Sequence, residues 1–180
     1  MAFDVDGFKE VMGRFATGVA VVTAVEDGHP VGFTCQSFVS LSLDPPLVGL
    51  APAKSSTSWP RIARAGSFCV NVLADHQQAL CTRFAVSGGD KFHGVPWHPA
   101  AVGGAPVIEG CLAWVSCGVE LVHDAGDHEL VIGKVLDLGH APGRPLLFYR
   151  RAFATLAEIP VEAEGEGPPR AEDRAVDRHR

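Results

Sequence analysis

The sequence predicts a mainly β protein, an antiparallel barrel or sandwich rather than a parallel sheet. Val19–Val25 is rich in β-branched residues, and further strand-like apolar runs recur from Val31 onward and at Leu47–Ala51, Phe68–Leu73, Cys111–His123, Glu129–Leu138 and Leu146–Tyr149. Turn chemistry separates them, at Glu26-Asp27-Gly28 and at Asp124-Ala125-Gly126-Asp127. Regular strand–helix–strand alternation, which a parallel sheet needs, is missing.

In chain order, Asp4 to Ala16 puts Phe8, Val11, Met12 and Phe15 on one face at helical spacing, and Gly18 ends that helix. The runs on either side of Asp27-Gly28 then form a β-hairpin. A short helix is expected over Ser56–Ala65 with a hydroxyl residue near its start. Another follows over Asp75–Ala85, capped by Asp75 and buried through Ala79, Leu80 and Phe84. Ser87 to Pro106 carries eight Gly and Pro residues and reads as loop, held down by Phe92 and Trp97. The two long strands after it meet at the Asp124–Asp127 turn. Residues 158–180, dominated by Glu, Arg, Pro and Gly, are expected to form a disordered polar tail, leaving 1–157 as one domain.

Composition removes several classes of function. With 180 residues, 47% hydrophobic and 20% charged, the chain has enough apolar material for a real core. A net charge of −6 argues against nucleic-acid binding. No apolar run reaches the ~20 residues that span a bilayer. The acidic start Met1-Ala2-Phe3-Asp4 is unlike a signal peptide, so a cytoplasmic location is expected. Five scattered cysteines without a C-x-x-C pair read as buried reduced thiols. Cys35 would pack as a small apolar residue beneath a ligand or in the core.

The most informative stretch is VGFTCQSFVSLSLDPPLVGLAPAKSSTS, Val31 to Ser58. It offers an apolar surface at one end and a dense run of donors at the other. A flavin mononucleotide needs both, one for its rings and one for its phosphate. Lys54, Ser55, Ser56, Thr57 and Ser58 form the best anion candidate, although an ordinary helix start has the same composition. Thr34, Gln36 and Ser37 interrupt an apolar strand and suit the polar edge of a ring, or a solvated strand face. Gly126-Asp127-His128 reads on spacing alone as a tight turn with an exposed His. Arg83-Phe84 and Lys91-Phe92 each read as a surface charge beside a core residue. No Rossmann glycine fingerprint, P-loop, nucleophile elbow or H-E-x-x-H motif is present, and the histidines lack a metal-ligand pattern.

The ordered set of segments resembles one family. F-x-x-V-x-x-x-F-A-T-G-V from Phe8, then GFTCQSFVSLSLDPPLV, KSSTS, FCVNVL, FA at Phe84, KFHGVPW, GDH from Gly126 and PLLFYR from Pro145 are similar to the flavin reductase-like, FMN-binding split-barrel proteins. These include the short-chain reductases of two-component flavin monooxygenases. The likeness runs from about Phe8 to Phe153.

That resemblance implies a six-stranded antiparallel Greek-key split barrel with a few flanking helices, acting as a homodimer. It implies NADH or NADPH as donor, FMN or FAD as acceptor, and a partner flavin-dependent monooxygenase. Carried onto this chain, Pro30, Val31, Gly32, Phe33 and Thr34, with Gln36 and Ser37, would line the ring and its ribityl chain. Ala51, Pro52 and Ala53 would lie beside the ring, and Lys54 to Ser58 would take the phosphate. Arg83 and Phe84 would close the far side. His128, oriented by Asp127, would face the nicotinamide with Phe148, Tyr149, Arg150 and Arg151, which reverses the turn reading. Gln36 stands where many relatives have Asn, and Arg151 where many have Gly.

The same resemblance implies hydride transfer from the dinucleotide to the flavin, with the protein stacking and orienting two cofactors that carry the chemistry. Two other readings stay open. One is a flavoprotein of this fold that reduces another acceptor, and the other is a flavin-binding sensor or carrier without turnover.

Overall fold

The computed structural model describes residues 3–157, so the expected tail lies outside the described residues. Three α-helices are present among the described residues: α1 (Val5–Met12), α2 (Trp59–Ala65) and α3 (Gln78–Ala85). The first strands are β1 (Thr17–Gly18), β2 (Ala20–Glu26), β3 (His29–Cys35), β4 (Val39–Leu43), β5 (Pro46–Leu50) and β6 (Ser67–Val72). Then come β7 (Trp97–Pro99), β8 (Pro106–Ile108), β9 (Ala113–Ala125), β10 (His128–His140), β11 (Leu147–Tyr149) and β12 (Ala152–Ala154).

The main antiparallel sheet runs β3-β2-β6-β9-β10-β5-β4. It has seven strands because the run after Val31 divides at Gln36-Ser37 into β3 and the separate edge strand β4. Its two ends approach each other where the Ala51 amide donates to Ser37 Oγ at 2.7 Å. The sheet therefore curls into a split barrel around a core.

Strand β2 shows why this core is double. Ala20, Val22 and Ala24 join Val31, Leu50, Ile62, Phe68, Val70 and Val131 inside the barrel. Val19 and Val21, one residue out of phase, pack outside it with Leu73, Phe84, Ile108 and Leu146. A period of two on a strand covered on both faces sends alternate residues into two clusters. A polar clamp joins them to the loop region. Asn71, fully buried, donates to Val21 O, Thr23 Oγ1 and Pro106 O and accepts from the Ile108 amide at 2.8 Å.

Three expectations are corrected here. The helix predicted from Asp75 starts as a 3₁₀ turn over Asp75–Gln77. Asp75 does not cap it: its carboxylate holds Arg144 Nε at 3.0 Å, and Gln77 Oε1 accepts from the Ala74 amide. The Ser87–Pro106 region contains β7 and starts β8, and Phe92 pins it edge-on between Phe84 and Trp97. Helix α1 ends at Gly13 rather than near Gly18, since β1 already begins at Thr17, and among the described residues its apolar face stays open, with Phe8 51% and Val11 68% exposed. No helix of the described residues is long and apolar enough to cross a membrane.

Candidate functional site

The site is built on β3 and the loop after β5. Gly32 is the hinge of the arrangement: a Cβ there would sit 2.8 Å from Phe84 Cε1 and 2.8 Å from Val22 O. Without a side chain, β3 lets the ring of Phe84 from α3 lie directly against it. Lys91 Nζ locks the contact, donating to Gly32 O at 3.2 Å and Phe84 O at 3.1 Å. Burial pushes the Lys91 ammonium below its usual range, because loss of water disfavours the charged form.

The other wall comes from a distant hairpin. Gly126 at φ 74° supplies the left-handed first position of the two-residue turn joining β9 and β10. The tip is stitched to the loop after β5 by Glu129 N to Pro52 O at 3.0 Å and Lys54 N to Asp127 O at 2.9 Å. A bridge also pairs Ala53 with His128. These bonds bring residues 75 positions apart in sequence, roughly, to one edge of a cleft.

That cleft has a volume of about 460 Å³, within the range of small-molecule sites. Phe33, Ala51, Pro52, Ala53 and Phe84 provide apolar surface, and Ser55, Ser56, Thr57 and Ser58 provide hydroxyls. Thr34, Gln36, Ser37 and His128 lie on the same wall, with Cys35, Ala85, Ser87 and Lys91. Pro30, Val31 and Gly32 line a second chamber that meets the first at Thr57, Ser58 and Lys91.

Several of these polar groups are already committed. Thr34 Oγ1 donates to Cys81 O at 2.6 Å, so toward a ligand its oxygen can only accept. Ser37 Oγ holds the Ala51 amide. Ser56 Oγ caps α2, accepting from the amides of Ser58 and Trp59. Gln36 makes no hydrogen bond among the described residues and offers a free amide. Burial raises the Cys35 thiol above its usual range, so the group is neutral and acts as packing.

His128 is half-buried, with Nδ1 2.7 Å from Asp127 Oδ1. The hydrogen bond from His128 holds the Asp127 carboxyl below its usual range. An ionised carboxylate only accepts, so Nδ1 carries the proton and Nε2 is left for a ligand.

Beyond Pro30, Val31 and Gly32, which line the second chamber, seven more of the sequence-derived positions do not line this cleft within one chain. Lys54 turns its ammonium to Asp124 across the stitched tip, outside the cleft lining. Asp127 lies behind His128. Arg83 donates from Nη1 to His93 O at 2.9 Å, which draws it away from the face that Phe84 presents. Phe148, Tyr149, Arg150 and Arg151 belong to a separate three-stranded sheet of β1, β11 and β12. Phe148 packs edge-on against Phe153. Arg150 and Arg151, at φ 48° and 64°, are the two turn residues of the β11–β12 hairpin, beside the acidic start of α1.

Sequence reasoning left out Ala85 and Ser87 and gave Lys91 a surface role. The last had a signal in the sequence, the K-F pair next to a Gly-Gly loop. Nothing in local spacing marks the other two.

The chemistry of the donor set fits a flavin: a flat apolar wall, a free amide and acceptor oxygens at ring level, and clustered hydroxyls at one end. Among the described residues no cluster of His, Cys, Asp or Glu is placed to hold a metal.

Residues 12–157 match the flavin reductase like domain family. Over 153 residues the chain is 50% identical to the reductase subunit HsaB of a flavin-dependent monooxygenase from Rhodococcus jostii, covering 84% of this chain and 78% of that protein. The fold is similar to nitrilotriacetate monooxygenase component B from Mycobacterium thermoresistibile, with a TM-score of 0.82 and 46% identity over 89% of this chain and 93% of the other. It is similar, too, to the NADH:FAD oxidoreductase SgcE6 of Streptomyces globisporus in complex with NAD and FAD fragments, with a TM-score of 0.81 and 33% identity. That match covers 89% of this chain and 96% of the other.

Proposed function

The chain belongs to the flavin reductase like domain family, and on that footing we propose that it is an NADH-dependent flavin reductase supplying reduced flavin to a partner flavin-dependent monooxygenase. The observation that carries this reading is the cleft, where an apolar wall, a hydroxyl run and His128 meet although they lie far apart in sequence. A cytoplasmic site of action goes with it, since NADH and free thiols belong to a reducing compartment.

In this reading the bound flavin accepts a hydride from NADH, which is the cofactors' own chemistry. The protein's part is to hold and orient. Phe33, Pro52 and Ala53 exclude water from one face of the ring, and Gln36 with Thr34 fixes its polar edge. Ser55 to Ser58 neutralise the phosphate through hydroxyl hydrogen bonds. His128, its ring set by Asp127, presents Nε2 at the cleft mouth and orients the incoming nicotinamide.

Steady-state NADH oxidation with and without added FMN or FAD tests the proposal. A flavin-dependent rate supports it, whereas tight flavin binding without NADH oxidation would move the reading to a carrier or sensor. For His128→Ala we expect turnover to fall about tenfold, equivalent to ~1.4 kcal/mol of barrier, with flavin affinity nearly unchanged. Wild-type kinetics in that variant would remove His128 from the reaction.

The same reading includes a homodimer. Its support is the open apolar face of α1, where Phe8, Val11 and Met12 are each more than half exposed. Beside it stand the β11–β12 residues that the family likeness assigns to the nicotinamide. Equilibrium sedimentation should give twice the chain mass, and a monomer at assay concentration would sink this part.

A further inference from the structure

Strand β10 carries an acid where its pattern calls for an apolar residue. Val131 is fully buried inside the barrel, and Glu129, two residues earlier, shares its face of the strand. His128, one residue out of phase, lines the cleft instead. The Glu129 side chain is partly buried, and its Oε2 accepts from the indole Nε1 of Trp59 at 2.5 Å. Trp59 is 3% exposed, and its indole N–H has no other acceptor among the described residues. Without Glu129 a buried donor would go unpaired.

The two ends of this bond are held with unequal firmness. Trp59 opens α2, belongs to the barrel core cluster with Ile62 and Phe68, and has its amide capped by Ser56 Oγ at 3.1 Å. The β9–β10 tip, Asp124 to Asp127, is exposed. It meets the loop after β5 through two backbone bonds and the ion pair of Lys54 with Asp124. An exposed ion pair restrains little. Among the described residues, Glu129 to Trp59 is the one side-chain hydrogen bond from this end of the hairpin to a core residue. Asp127 sets the ring of His128 but travels with the same turn. Glu129 therefore ties the tip, and His128 with it, to the rigid barrel.

We propose that Glu129 is a positioning residue for flavin reduction, acting through His128 by anchoring the hairpin tip to Trp59. This role rests on the flavin-reductase reading of the cleft and on the place of His128 in it. Hydride transfer depends steeply on how the two rings are set, so a looser tip slows the reaction while both cofactors still bind.

Three variants test this, each first checked for native folding by far-UV circular dichroism. Glu129→Ala removes the acceptor, Trp59→Phe removes the donor but keeps a ring in the core, and Glu129→Gln keeps an acceptor oxygen. In rapid mixing with saturating FMN and NADH, Glu129→Ala and Trp59→Phe should each slow flavin reduction about three- to fivefold. The KM for NADH and the Kd for FMN should stay within about twofold of wild type. Glu129→Gln should recover most of the rate. In a His128→Ala background, Glu129→Ala should slow the reaction no further, since both changes act through one group. Wild-type rates in folded Glu129→Ala, additive losses in the double variant, or a Glu129→Gln as slow as Glu129→Ala would overturn the proposal. So would a loss of FMN affinity as large as the loss of rate, which marks a structural role. Should Trp59→Phe fail to fold, the two Glu129 variants and the double variant still decide. FMN reduction by the wild-type protein, and its slowing in His128→Ala alone, test the reductase reading separately, so the two can fail independently.

Discussion

Replacing Asn71 with Ala is expected to lower the unfolding free energy by about 3 kcal/mol, from the loss of several buried hydrogen bonds. Asn71 is fully buried on β6, and its amide joins β2, through Val21 O and Thr23 Oγ1, to β8, through Pro106 O and the Ile108 amide. Truncation removes the acceptor for a buried N–H and leaves a small void beside it. Both effects act in the same direction, and no water-exposed partner stands ready to replace the side chain. At roughly 2–4 °C per kcal/mol for a domain of this size, the melting temperature should fall by about 6–12 °C. Chemical denaturation read by tryptophan fluorescence measures this. A loss below ~1 kcal/mol would mean that β8 is anchored by its apolar contacts alone.

Ser55→Asp is expected to weaken FMN and FAD binding by tenfold or more while leaving riboflavin binding unchanged. Ser55 lines the hydroxyl end of the cleft, is exposed, and caps nothing, so its replacement should not disturb the fold. A carboxylate about 4 Å from a phosphate near a protein surface is repelled by up to ~4 kcal/mol, and solvent and salt reduce this to the ~1.4 kcal/mol of a tenfold change. Riboflavin has no phosphate and serves as the internal control. Equal weakening of all three flavins would place the phosphate elsewhere and turn the proposed orientation around.

The parts of the fold that were legible in the sequence are those where one local rule decides. Strand β2 carries four β-branched residues in seven, Asp27-Gly28 matches the two left-handed positions its hairpin requires, and the long β9–β10 pair announces its turn through Gly126. Strands β7, β8 and β12 have three residues each, and the first two include prolines at Pro99 and Pro106, so no periodicity survives to mark them. Strand β4 was absorbed into the run before it because only Gln36-Ser37-Phe38 separates the two. Helix α1 was legible as amphipathic, but among the described residues its apolar face stays largely exposed, with only Phe3 tilted against Phe8.

The candidate site divides in the same way. The segment from Val31 to Ser58 could be grouped by composition, and its site residues from Phe33 to Ser58 line one cleft except Lys54, while Val31 and Gly32 line the second chamber. His128 reached that cleft only through the backbone stitching of the hairpin tip, which no spacing encodes, and it was the family likeness that singled it out. Charge was the least reliable guide. Lys54 and Arg83 looked available, yet each has a partner that turns it aside, Asp124 and His93 O. Lys91, read as a surface residue, is held among carbonyls between the two chambers.

The central claim, that this protein reduces flavin with NADH, is tested most directly by anaerobic rapid mixing of the purified protein with FAD or FMN and NADH, following the visible flavin absorbance. The account predicts rapid bleaching that requires the protein and is slowed in His128→Ala. Bleaching no faster than in a protein-free control, with flavin demonstrably bound, would contradict it.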